Sequence, residues 1–132
     1  ALIAVSQAQE VGVGLECVRS EVEVAKLSKR YFTRSEHTAI MEAPDEQRAT
    51  RFFCYWVAKE ALLKAQGIGL RGLSDCEVCI EGDGVNMEVQ ARLGAQFTDT
   101  LQVRLLPCET GWEAAVAAQS VDSVIQFDLG QQ

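Results

Sequence analysis

Between Asp45 and Gln66 the chain carries its strongest helical pattern, and whatever fold it adopts must bury that element. Phe52, Trp56, Lys59 and Leu63 fall along one stripe, and Phe53, Val57, Glu60 and Lys64 follow on the adjacent one. Asp45, just after Pro44, can cap the start, and Gly67 stands where a helix commonly stops. Two shorter helical signals precede it. Val24, Leu27 and Tyr31 are at helical spacing within residues 21–32, and Thr33-Arg-Ser-Glu36 matches a capping box that would start a second short helix before Pro44. The flanks alternate with a period of two. ALIAVS and VGVGLECV surround the polar QAQE as an antiparallel hairpin would, and CEVCIEGDGVNMEVQ holds a Gly-Asp-Gly turn signal. LQVRLLP, WEAAVAA and SVIQFDL continue the meander, with Leu101, Val103, Leu105 and Ala114, Val116, Ala118 expected on a face buried under the helices. Strands, then helices, then strands predict an α+β fold: an antiparallel sheet meander packed against one long helix and shorter ones.

At 132 residues the chain is expected to form a single domain. An apolar fraction of 48% against 23% charged is globular, and no apolar run approaches the ~20 residues of a spanning helix, so a membrane protein is not expected. The net charge of −7 disfavours general nucleic-acid binding. The charge is uneven, however. Residues 1–71 hold ten of the twelve basic groups and nine acidic ones, whereas residues 72–132 hold two basic and ten acidic groups, so an anionic ligand fits the first part better. Five cysteines, Cys17, Cys54, Cys76, Cys79 and Cys108, make no dense framework and suit a reducing, cytoplasmic compartment. Cys76 and Cys79 form a CxxC, but a structural zinc site wants a second pair or histidines, and His37 stands alone. Buried strand cysteines are the expectation.

The chemistry concentrates in Trp56-Val-Ala-Lys59-Glu60-Ala-Leu-Leu-Lys64, where Glu60 lies one turn after Trp56 and Lys64 one turn after Glu60. A solvated i,i+4 ion pair would account for Glu60 and Lys64. A carboxylate for a hard cation, flanked by lysines for phosphate oxygens, would account for the whole segment, because Mg2+ is usually held by one or two carboxylates plus substrate phosphates. Glu16, on the second strand, is the natural partner for Glu60.

VGVGLECVR, KRYFTRSE, FFCYWVAKEALLKAQGIGL and a late GWEAAVA together resemble the C-terminal half of the surfactin-synthetase-type 4'-phosphopantetheinyl transferases. Those enzymes show a V-G-[IV]-D-[ILV]-E strand, an F-[ST]-x-x-E element and W-x-x-K-E-A-x-x-K-x-x-G-x-G-[IL] on a long helix. The resemblance runs in order from about residue 1 to residue 118. It implies transfer of the 4'-phosphopantetheine arm from coenzyme A to a serine of an acyl or peptidyl carrier protein, with Mg2+ as cofactor. By position Glu16 and Glu60 are implied metal ligands, Lys64 a phosphate contact, and Lys59 a contact or proton acceptor, which makes Glu60 and Lys59 the catalytic candidates. Glu36 matches a third acidic position, although its capping-box role explains it equally well. Carrier proteins are acidic, so docking is expected along Arg19, Lys26, Lys29, Arg30 and Arg34.

Two departures from the family pattern stand out. Gly14 occupies the position of the strand aspartate, so one of three implied carboxylates is missing; disturbing even an indirect metal contact typically costs roughly 10–100-fold. The two-half enzymes also carry an N-terminal half ending in a Ser-His-Ser-type motif, and the resemblance begins just past it, at Ala1. The shorter holo-synthase branch uses one half per chain and assembles as a trimer. Homo-oligomerisation, or pairing with an N-terminal half, is therefore expected. A non-catalytic module that binds coenzyme A or a carrier is the alternative function.

Overall fold

The computed structural model of the chain describes residues 11–19, 22–66, 70–81, 88–93, 96–97, 102–106 and 111–118. Along it run β1 (Val11–Cys17), α1 (Val24–Tyr31), α2 (Arg34–Met41), α3 (Asp45–Gln66), a 3-10 helix (Leu70–Asp75), β2 (Cys76–Glu81), β3 (Glu88–Leu93), β4 (Gln96–Phe97), β5 (Gln102–Leu106) and β6 (Trp112–Ala118). Among the described residues every strand pairing is antiparallel. The α+β class and the three helices agree with the sequence pattern. The strands, however, divide between two three-stranded sheets, β1-β6-β5 and β2-β3-β4. The expected strands at 1–6 and 123–129, and the turn at 82–87, lie outside the described residues.

The capping box forms in full: the Glu36 N–H donates to Thr33 Oγ1 at 3.3 Å and the Thr33 N–H donates to Glu36 Oε1 at 2.9 Å. Ser28 Oγ, fully buried on α1, pairs with His37 Nδ1 on α2 at 2.7 Å and ties the two short helices together. Asp45 is the first residue of α3 rather than its cap, and it pairs with Arg48 at 2.6 Å.

From Phe52 to Ala65, α3 is buried on nearly every side, not only along two stripes. A helix apolar all round belongs in the middle of a fold, and α3 is held there by both sheets and both short helices. Phe52 stacks on Phe32 at 5.2 Å between ring centroids and meets Phe53 edge-on at 5.1 Å, which closes one flank of the core.

On the opposite flank, small residues bring the helix against the sheet. A Cβ at Gly12 would fall 2.0 Å from the Ala61 carbonyl oxygen, and one at Gly14 would fall 2.3 Å from that of Val57. The β1–β6 register sets Gly12 beside Ala117 and Gly14 beside Ala115, both fully buried. The surface under α3 is thus Gly12, Gly14, Ala115 and Ala117, with Val103 and Leu105 of β5 opposite the two alanines. This reverses the expectation for β6. Ala114 and Val116 are buried as expected but on the far side, because only the smaller set of Gly12, Gly14, Ala115 and Ala117 admits the helix backbone so closely. Cys76 is buried on one side of β2 and Cys79 is exposed on the other. The buried-strand expectation therefore holds for Cys76 alone. No helix among the described residues is long and apolar enough to cross a membrane.

Candidate functional site

Glu16 follows Gly12 and Gly14 along the helix-facing side of β1, where α3 passes overhead. Trp56 of α3 meets it: the indole Nε1–H donates to Glu16 Oε1 at 3.3 Å. One turn further along α3, Glu60 has only 12% of its side chain exposed, and its Oε2 lies 3.5 Å from Lys64 Nζ. Its other oxygen, Oε1, is buried without a hydrogen-bond partner. Burial raises the proton affinity of Glu60 above the ordinary carboxylate value, and the charge of Glu16 adds to the rise, while Lys64 and the Leu15 N–H pull the other way. Glu16, from a separate element, thus contributes to the electrostatic surroundings of Glu60.

A buried carboxylate oxygen costs free energy unless something satisfies it. Oxygen donors from two carboxylates suit a hard cation whose remaining positions are filled by water or phosphate. Among the described residues, no group of three His, Cys, Asp or Glu side chains comes together to hold a metal. The site offers two carboxylates, Glu16 and Glu60, and Lys64 stands outside them with 55% of its side chain exposed. Gly14 is not an opening into which a third carboxylate would simply fit, because the Val57 carbonyl already occupies the space of its Cβ.

Lys59 is placed differently from its sequence neighbour. It is fully buried, its Nζ lies 2.5 Å from Glu36 Oε1, and it sits 4.7 Å above the Phe32 ring centre. The other Glu36 oxygen accepts the Val78 N–H of β2 at 2.6 Å. Burial pushes the Glu36 carboxyl up against the opposing pull of Lys59 and of the Thr33 and Val78 N–H groups.

Two residues at the site went unassigned in the sequence. Trp56 was a motif letter, yet it is the donor that holds Glu16; its position one turn before Glu60 was the signal. Glu113 sits directly across from Glu16 in the β1–β6 register. It is half-buried, its carboxyl is raised by burial, and it accepts from the Cys54 thiol, which burial and Glu113 push up to about 12. A glutamate interrupting the apolar run of β6 was the available clue.

A cleft of about 510 Å³ begins at Glu16 and is walled by Leu27, Tyr31, Phe52, Trp56 and Leu73. Arg19 also lines it and lies over the Phe53 ring at 5.3 Å, while Arg30 lies over Tyr31 at 5.1 Å. Glu16 thus opens onto an aromatic trough with cationic groups at its borders.

Comparison with known proteins identifies the family. A family model described as the 4'-phosphopantetheinyl transferase superfamily matches residues 10–117, which include β1, all three helices and most of β6. The 4'-phosphopantetheinyl transferase HetI of Nostoc sp. is 39% identical over 80 residues, covering 61% of this chain and 34% of its own length. The chain thus spans about a third of that relative. The holo-[acyl-carrier-protein] synthase of Cutibacterium acnes is 35% identical over 119 residues, covering 84% of this chain and 95% of its own. In fold, the chain resembles the holo-(acyl-carrier-protein) synthase of Bacillus anthracis, solved in complex with CoA (3',5'-ADP). That match has a TM-score of 0.52 and 24% identity over 84% of this chain and 95% of that one. Glu16, Trp56, Glu60 and Lys64 all lie inside the matched span, and the chain belongs to the 4'-phosphopantetheinyl transferase superfamily.

Proposed function

We propose that this chain transfers the 4'-phosphopantetheine arm of coenzyme A to a serine of an acyl or peptidyl carrier protein, with Mg2+ held by Glu16 and Glu60. One observation carries the reading: Glu60 keeps a buried oxygen without a hydrogen-bond partner, one helical turn from the Trp56 that holds Glu16. When bound, the ion supplies positive charge to the diphosphate of coenzyme A. Lys64, exposed and loosely paired at 3.5 Å, is free to turn its ammonium from Glu60 to a phosphate oxygen. The serine oxygen forms a bond to the β-phosphorus, the bond from that phosphorus to the bridging oxygen breaks, and 3',5'-adenosine bisphosphate leaves. We assign the serine proton to Glu60, whose Oε1 has no hydrogen-bond partner and is available to accept it.

The carrier docks along the aromatic trough and its cationic borders. Arg19, Lys26, Lys29, Arg30 and Arg34 are all exposed, and opposite charge speeds encounter most at low salt. A second copy, or an N-terminal half, completes the cleft. The cysteine usage fits a cytoplasmic reaction.

Incubation with coenzyme A, Mg2+ and an apo carrier is expected to raise the intact mass of the carrier by that of the arm. The two-carboxylate centre at Gly14 favours a second reading, a coenzyme- or carrier-binding module without transfer. An unchanged carrier mass, with calorimetric coenzyme A binding indifferent to Mg2+, would select that second reading.

A further inference from the structure

Lys59 and Glu60 adjoin in sequence, and about 100° of helix rotation separates their directions. Lys59 has no path to a ligand in this fold. It is 0% exposed, with a carboxylate against its ammonium on one side and the Phe32 ring on another. Withdrawing it to meet a phosphate would strand Glu36, itself 1% exposed, as an uncompensated buried charge.

Glu36 has several other attachments. It is joined to its own cap at Thr33 and to the first half of β2 through the Val78 N–H. The ion pair therefore pins three elements at one point: α2 through Glu36, α3 through Lys59 and β2 through Val78. A charge pair differs from an apolar contact of equal size in having direction, and registry is the best-attested use of buried ionic groups. Fixing the azimuth of Lys59 fixes that of the next residue, Glu60, and of Trp56 one turn earlier. Trp56 donates to Glu16, and Glu60 feels the charge of Glu16.

We infer that the Glu36–Lys59 pair is a positioning latch, which sets the rotation of α3 so that Trp56 and Glu60 face Glu16, and that Lys59 does not touch the ligand. Its consequence for catalysis rests on the transferase reading; its structural content does not.

The test uses the doubly neutral variant Glu36→Gln/Lys59→Met, which keeps an acceptor for the Val78 N–H and strands no charge. The chain has two tryptophans, Trp56 and the 44%-exposed Trp112, so indole N–H resonances of 15N-labelled protein report the site and an internal control separately. With the Trp112 signal in place, the Trp56 signal is expected to move and its indole proton to exchange with water about tenfold faster. A Trp56 signal unchanged in position and exchange overturns the latch. Calorimetry with coenzyme A in EDTA is the second readout. The variant is expected to keep the wild-type Kd within about twofold, whereas loss of a charged phosphate contact would raise it about tenfold or more and return Lys59 to the ligand. Should the wild-type chain bind no coenzyme A, the transferase reading fails while the indole signals still decide the latch.

Discussion

Lys59 and Glu60 are consecutive residues of one helix, and their surroundings differ in almost every respect. Lys59 is sealed, its charge matched by Glu36 and its partner in turn held by two backbone N–H groups. Glu60 is paired only loosely with an exposed lysine, keeps one oxygen unsatisfied, and lies near a second carboxylate that raises its proton affinity. A satisfied buried network stabilises and specifies, whereas an unsatisfied acid beside another acid is a cost that a ligand can offset. The contrast separates a sealed ion pair from an open one, although both consist of a lysine and a glutamate.

Breaking the sealed side should give the largest effect. Lys59→Met alone is expected to destabilise the fold by about 3–5 kcal/mol in urea titrations, with Glu36→Gln/Lys59→Met recovering most of the loss. Equal stability of the two variants would mean that the pair is not enclosed. On the open side the signs invert. Glu60→Gln should lower carrier modification at least about 10–100-fold while leaving the urea midpoint unchanged or higher, since it removes a poorly satisfied charge.

Gly14→Asp sharpens the comparison further. It restores a family carboxylate in name, but its Cβ meets the Val57 carbonyl, so overpacking of about 1–3 kcal/mol is expected. Gly14→Ala should lose as much, and Mg2+ should not recover the aspartate variant's melting temperature. A stable Gly14→Asp with tighter Mg2+ binding would show that the helix yields. The smallest effect belongs to Glu113. Its folded-state carboxyl lies above the ordinary 4.5, so the protonated form favours folding, and the associated stability is lost as pH rises from 4.5 through the raised value. Glu113→Gln should flatten that part of the decline. It also removes a like charge opposite Glu16, for a gain under about 1 kcal/mol near neutral pH.

Much of this was legible in the residues. The α3 pattern, the Thr33–Glu36 capping box and the pairing of the strands at 76–81 and 88–93 are local signals, and the structure follows each of them. The Trp56–Glu60–Lys64 line is a helical spacing and could be read directly. Partition into two sheets could not, because it depends on which distant strands pair, and β1 chooses β6 nearly a hundred residues later. The same register puts Glu113 against Glu16. The side of β1 under the helix was equally obscure. Alternation marks two faces, but close helix approach selects the glycine face over that of Val13 and Leu15. Lys59 illustrates the limit most clearly, since its motif position suggests a ligand contact and only the fold reveals Glu36 beside it.

The central claim is that Glu16 and Glu60 act together on one divalent ion. Titration with Mn2+ followed by electron paramagnetic resonance tests it in the wild type, Glu16→Gln, Glu60→Gln and the double variant. Each single change is expected to weaken binding about tenfold or more, with the double variant little worse than either, as befits two ligands of a single centre. Wild-type Mn2+ affinity in both single variants would contradict the account.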